Sequence, residues 1–269
     1  MLTCIDFFAG IGAWEIACEM VNMLSEIKFQ TVEFIEIDSQ AQKVLRSHFP
    51  QIPIHSDVRS YAPKKTDCHL ISFPCTGTSV AGKKEGLNHE ESNLWFEALR
   101  CIVEGKPKYI AIEQPEGFID RGLRSVLDGL RMAGYQTEVE LISAAEFGAP
   151  HRRNRVFVVA HTDDLSLQQR EGWTCWSEQI GTHIEIAKSF APHPQTESGS
   201  VSVADGIPSW LDGIRFDGFW LKHYPQQPGI ARRTRGRRDC VSLYGRSIVP
   251  LCAVVALMRI QFLGAIATG

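Results

Sequence analysis

No two of the eight cysteines, at positions 4, 18, 68, 75, 101, 175, 240 and 252, form a CxxC pair or stand beside histidine at a metal-binding spacing. That pattern predicts neither a structural zinc nor a disulfide framework, and it suits a reduced compartment. The chain also lacks a secretory pattern at its start, so a cytoplasmic protein is expected. It has little imbalance of charge: a formal net charge of −3 gives no global electrostatic case for a nucleic-acid partner. No internal repeat is evident. The most apolar stretch, 247–262, is interrupted by Pro250 and Arg259 and is short for a bilayer, so it reads as a core helix and no membrane partner is expected. With 44% hydrophobic and 22% charged residues, the composition is that of an ordinary globular protein and excludes collagen-like or wholly disordered chains.

What is present is a regular alternation. LTCIDFF is a short apolar run that meets AGIGA, and WEIACEMVNML then carries apolar residues at helical spacing: strand, glycine turn, helix. TVEFIEID reads as a second strand ending in acid, with Ser39 placed to cap the helix of SQAQKVLRSHF. DCHLISF, SNLWFEALRCIVEG, KYIAIEQ and GLRSVLDGLRMAG continue the series, and YQTEVELISA and RRNRVFVVAH lie close enough to pair with each other. Repeated strand-helix units predict an α/β fold with a doubly wound, mostly parallel sheet whose ligand loops sit at the carboxyl ends of the strands. Residues 162–206 lose this periodicity, and 207–240 add an arginine cluster, Arg232, Arg233, Arg235, Arg237 and Arg238. The predicted organisation is a catalytic and cofactor-binding domain over 1–161, a small irregular region over 162–240, and a segment over 241–269 that returns to the main domain.

Several residues carry chemistry. Asp6 to Gly12 put two glycines where a strand enters a helix, which allows a ligand close to the backbone, although packing alone also explains such a turn. Glu36, ending the next strand, stands where a carboxylate can accept a ribose hydroxyl, and the pair favours a nucleoside-containing cofactor. PCTGTSVAG places Cys75 directly after Pro74 in a loop too polar and glycine-rich for a core, so an exposed thiol is the better reading than one more small buried residue. Glu113 closes an apolar run at the same sheet edge. A carboxyl group there can hold a proton near neutrality, or it can be an ordinary salt-bridged acid. Arg153 and Arg155, two apart at the start of a strand, would project from one face and could bind a carboxylate, a phosphate or a carbonyl, or line a solvated edge.

The motifs DFFAGIGAW, FIEID, HSDV, FPCTGTSVAG, AIEQP and GAPHRRNRVF follow one another in an order and spacing that resemble the cytosine-C5 DNA methyltransferase family. The resemblance covers nearly all of residues 3–160 and resumes at LYGRSIVPLCAVVAL, 243–257. It implies a Rossmann-like methyltransferase fold, S-adenosylmethionine as cofactor, and double-stranded DNA as substrate. It implies a cofactor pocket of Phe8, Ala9, Gly10, Ile11 and Gly12, with Trp14 near the adenine, Glu36 on the ribose, Asp57 near the adenine amine, Pro74 on the methyl-donor side, and Arg246 near the methionyl carboxylate. It further implies that Cys75 attacks C6 of a flipped-out cytosine while Glu113 engages N3, Arg155 holds the O2 side and Arg153 supports the cysteine loop. Residues 162–240 take the place of the family's target-recognition region. A monomer, a prokaryotic or phage origin, and a restriction nuclease acting on the same site are also what the resemblance suggests.

Three positions depart from the family pattern: Glu113-Gln114-Pro115 replaces Glu-Asn-Val, Thr76 replaces glutamine after Pro-Cys, and Arg246 replaces asparagine. Two rival readings keep the fold: a transfer-RNA cytosine-C5 methyltransferase, whose usual Cys-Phe-Thr tract is not found, and a catalytically silent binding module. A dinucleotide redox site is disfavoured because the turn lacks the third glycine of GxGxxG. The tryptophans Trp173, Trp176 and Trp210 are read as filling a small core, and the arginine cluster as a phosphate contact.

Overall fold

A computed structural model describes residues 1–74, 94–149, 153–162, 171–190 and 247–268. The elements run β1 (Leu2–Phe7), α1 (Ala13–Val21), β2 (Phe29–Ile35), α2 (Ser39–His48), β3 (Ile54–His55), β4 (Cys68–Ile71), α3 (Leu94–Gly105), β5 (Tyr109–Pro115), α4 (Leu123–Met132), β6 (Tyr135–Ser143), β7 (Asn154–Thr162), α5 (Trp176–Lys188) and α6 (Pro250–Thr268). The seven strands among the described residues join one sheet in the order β3-β2-β1-β4-β5-β7-β6. The first five are parallel, while β7 lies antiparallel between β5 and β6 and pairs with β6 along its whole length. The predicted α/β sheet and the β6–β7 pairing are therefore both present.

Two apolar layers cover the sheet. Cys4, Leu70, Ala111, Phe157 and Val159 face the side packed by α1, α5 and α6, whereas Ile5, Phe7, Ile71, Ile112 and Val158 face α3 and α4. This alternation is the period-2 pattern of strands buried on both faces, and it makes the sheet doubly wound. Strand order reverses between β1 and β4, the place where an open α/β sheet leaves a crevice for ligands.

The C-terminal helix is apolar all round because it is buried all round: Leu251 to Leu257 are fully enclosed. Length and composition alone would let Pro250–Ala267 cross a membrane, but 78% of that window is buried inside the protein, as a core helix requires. Its one charge, Arg259, is wholly buried and forks onto Glu138 of β6 at 2.7 and 2.9 Å, with Nη1 donating to Gln179 of α5 at 2.8 Å. The rings of Phe262 and Trp173 lie 4.8 and 5.9 Å from its guanidinium. Such pairing is what makes a buried arginine tolerable.

Two local expectations are revised. Asp38, not Ser39, caps α2: its Oδ1 accepts from the backbone N–H groups of Gln40 and Ala41 at 2.8 and 3.2 Å, which leaves Ser39 as the first helical residue. Within the stretch read as irregular, Trp176–Lys188 is a regular helix whose Trp176, His183 and Ala187 are buried against the main core. Trp176 thus fills core as predicted, while Trp210 and the arginine cluster lie outside the described residues.

Candidate active site

The carboxyl end of β1 turns sharply. Phe8, Gly10 and Gly12 adopt φ of 59°, 56° and 88°, three left-handed positions within five residues, and only Phe8 among them carries a side chain that resists this. At Gly12, the N-cap of α1, a Cβ would meet Phe49 Cε2 at 2.6 Å, so conformation and packing both exclude one. At Gly10 a Cβ would meet nothing within 4 Å, which leaves open space beside the backbone. The turn is fastened from two sides: Gly10 donates its N–H to Glu36 Oε2 at 2.7 Å, and Ala9 donates to the Ile35 carbonyl at 3.1 Å. Glu36 Oε1 accepts the Asp38 N–H, also at 2.7 Å, so the carboxylate named for the ribose is fixed by two backbone donors at the strand end.

Asp57 caps the short turn Val58–Ser60 and accepts both the backbone N–H and Nε of Arg59 at 3.0 Å. Those bonds to Arg59 hold its carboxyl below the usual aspartate range. Trp14 lies deeper than the resemblance implied: it is 1% exposed, edge-on to Phe157, and its indole N–H donates to Ser72 Oγ at 2.9 Å. It joins α1 to the end of β4 and presents no open face to a base. The apolar surface beside Glu36 comes instead from half-buried Phe8 and from Ile37, which is 59% exposed. Ile37 was missed in the sequence, where its signal was an apolar residue directly after the acid that ends a strand. Asp6, two residues before Phe8 on β1, is fully buried, and burial, helped by the charges of Glu15 and Glu36, pushes its carboxyl well above the usual aspartate range.

The second half of the site forms around β4, β5 and β7. Phe73 is buried and Pro74 is exposed, just before the position of Cys75, which itself lies outside the described residues. Gln114, 2% exposed, donates Nε2 to the Phe73 carbonyl at 2.9 Å. The departure from asparagine at this position therefore keeps a side-chain amide on the cysteine loop. Next to it, Glu113 Oε1 lies 2.7 Å from Arg155 Nε. Burial raises the Glu113 carboxyl, and the charges of Arg155 and Arg153 only partly oppose that shift. The net direction favours a proton on this acid beyond what a free glutamate would hold.

Arg153 and Arg155 do not start the strand together. Arg155 is the second residue of β7, but Arg153 precedes the strand with a left-handed φ of 33°. That turn points its guanidinium to the Ser247 carbonyl at 2.6 Å, just before α6, and burial lowers its pKa to about 10. Arg155 thus takes the carboxylate and Arg153 a carbonyl, two of the partners foreseen for such a pair. Arg246 lies outside the described residues.

A family model described as C-5 cytosine-specific DNA methylase matches residues 2–228. Type II methyltransferase M.BsuFI of Bacillus subtilis is 32% identical over 173 residues, 62% of this chain and 41% of its own. Type II methyltransferase M.HhaI of Haemophilus parahaemolyticus is 29% identical over 171 residues, 61% of this chain and 50% of its own. The chain spans about half the length of the curated relatives it matches. Among solved structures, the S. pombe Dnmt2 methyltransferase superposes with a TM-score of 0.63 at 14% identity, covering 98% of this chain and 99% of that one, which shows a shared fold.

Proposed function

The chain belongs to the C-5 cytosine-specific DNA methylase family, and we propose that it transfers a methyl group from S-adenosylmethionine to C5 of cytosine in double-stranded DNA. The observation that carries this reading is Glu113: a buried carboxyl with a raised pKa, one residue from the amide that grips the loop leading to Cys75. C5 of cytosine is a poor nucleophile until a thiolate adds at C6 and a proton on N3 draws charge from the ring. Cys75 supplies the thiolate, and Glu113 holds the proton at N3. Arg155 orients Glu113 and reaches the O2 side, while Arg153 anchors the approach to β7 on the Ser247 carbonyl. Loss of the C5 proton with expulsion of the Cys75 sulfur restores the aromatic ring. A paired base offers neither face to a thiol, so the cytosine is flipped out, at a cost of a few kcal/mol.

The cofactor residues fit a nucleoside-bearing donor. Gly10 leaves space against the backbone, and each oxygen of Glu36 can accept a ribose hydroxyl in addition to its backbone donor. S-adenosylmethionine would supply an electrophilic methyl group; Phe8, Ala9, Gly10, Ile11, Gly12, Glu36, Asp57, Pro74 and Arg246 would hold it, with Trp14 bracing the turn from below. Residues 162–240 are proposed as the target-recognition region. Because α5 packs into the main core, DNA reading falls to the part beyond it, which contains the arginine cluster. The proposal extends to a monomer in the cytoplasm of a prokaryote or encoded by a phage, with a restriction nuclease of matching specificity as partner. Side-by-side assays with labelled S-adenosylmethionine test the substrate: label entering duplex DNA as 5-methylcytosine supports the reading, and label entering only transfer RNA, or neither, contradicts it.

A further inference from the structure

We infer that Arg100 is a positioning residue for the methyl donor, holding from α3 the turn that carries Asp57. Its Nη2 donates to two backbone carbonyls of that segment, Val58 at 2.8 Å and Tyr61 at 3.1 Å. The other two nitrogens are taken on the helix itself, Nε by Glu97 and Nη1 by Glu104, each at 2.9 Å. Two carboxylates fix the planar fork so that its third arm can reach across to the turn, a geometry that lysine cannot reproduce.

The turn needs such a tether. It follows β3, the two-residue strand at the edge of the sheet, so no ladder supports the chain from Ser56 onward. The opposite end is held by Tyr61, whose hydroxyl donates to Glu33 at 2.7 Å and whose ring packs edge-on to Phe7. Between these two points the backbone carries Asp57, whose side chain caps the turn and which the proposed function assigns to the cofactor. Freed from Arg100, the turn keeps its internal hydrogen bonds and the Gln42 link between Glu36 and Ser56 at its start, but loses the two carbonyl contacts that hold Val58 and Tyr61 against α3.

The inference rests on the proposed use of S-adenosylmethionine, and the experiment separates the two. Binding of S-adenosylmethionine is measured by titration calorimetry for the parent protein, Arg100→Met, Arg100→Lys, Asp57→Asn and Arg100→Met with Asp57→Asn, alongside KM and kcat on duplex DNA and the melting temperature. Arg100→Met is expected to weaken cofactor binding about tenfold and raise the cofactor KM in parallel, with kcat at saturating cofactor within about twofold of the parent. Arg100→Lys should fall between the two, and it serves if Arg100→Met does not fold. In the Asp57→Asn background the further loss from Arg100→Met should shrink to less than about twofold, since the tether acts through that residue. Unchanged affinity, an equal loss in both backgrounds, or a fall in kcat with KM unchanged overturns the inference. Failure of the parent protein to bind the cofactor overturns the proposed function instead.

Discussion

Arg155 lies 2.7 Å from Glu113 through Nε and Oε1, in a pocket that leaves 8% of the glutamate side chain in contact with solvent. The pair sets two opposed influences on one acid, and burial outweighs the two nearby guanidinium groups. A group that must carry a proton at N3 loses function as pH rises through its folded pKa. The kcat/KM profile should therefore descend on the alkaline side because of Glu113 and on the acid side because Cys75 must ionise. Glu113→Gln should lower kcat about 10²- to 10⁴-fold and remove the descending alkaline limb. A variant rate that keeps the limb would assign it to another group.

Gln114 reaches the Phe73 carbonyl with Nε2 and is almost wholly buried. Gln114→Ala should release the loop before Cys75 and reduce kcat by about tenfold, while binding of S-adenosylmethionine stays within about twofold, because this amide touches the cysteine loop and not the glycine turn. Equal losses in both quantities would place Gln114 among general stability contacts.

Gly12 combines a left-handed φ with a Cβ position 2.6 Å from Phe49. Gly12→Ala should cost about 2–3 kcal/mol in denaturant unfolding, since alanine is strained in that conformation and has no room. Gly10→Ala has the room, so its penalty is the conformational part alone, about 1–2 kcal/mol, and it should weaken cofactor binding more than its loss of stability explains.

How much of this was legible beforehand depended on whether neighbours in sequence are neighbours in space. The strand-turn-helix of β1 and α1, the acid ending β2, and the apolar run delivering Glu113 are each set by local pattern, and each lies where it was read. Trp14 was legible as part of the site but not as a buried strut, because its partner Ser72 follows β4, 58 residues further along the chain. The left-handed backbone of Arg153 carries no composition signal, so the strand start was read two residues too early. The helix α5 was missed because its buried set, Trp176, His183 and Ala187, is sparse and one member is polar. The Arg100 tether joins two segments with no shared motif, and nothing short of the fold brings them together.

The clamp between Arg259 and Glu138 predicts a large penalty for removing one side. Glu138→Ala leaves a fully buried guanidinium without its carboxylate and should cost about 3–5 kcal/mol, whereas the double change Arg259→Met with Glu138→Leu should cost less than either single change at Glu138 or Arg259. Urea unfolding of the three variants gives the comparison.

His69 is fully buried, with burial lowering its pKa to about 3, and burial lowers His183 to about 4. Both bind a proton more readily when unfolded. Stability is therefore kept above about pH 6.5 and falls as pH drops toward these folded values, by about 1.4 kcal/mol per pH unit for each histidine. His69→Leu should flatten the slope of unfolding free energy between pH 6 and pH 4, where an unfolded histidine is charged and the buried His69 is still neutral. An unchanged slope would show that His69 titrates alike in both states.

The central claim is that Cys75 attacks cytosine in DNA, and trapping tests it most directly. The protein and a Cys75→Ser variant are incubated with S-adenosylmethionine and duplex DNA carrying 5-fluorocytosine, where fluorine cannot leave as the C5 proton does. A protein–DNA adduct that survives denaturation, is formed by the parent chain and is absent from Cys75→Ser is the predicted result. No adduct on DNA of diverse sequence with cofactor bound, or an equal adduct from the serine variant, would contradict the account.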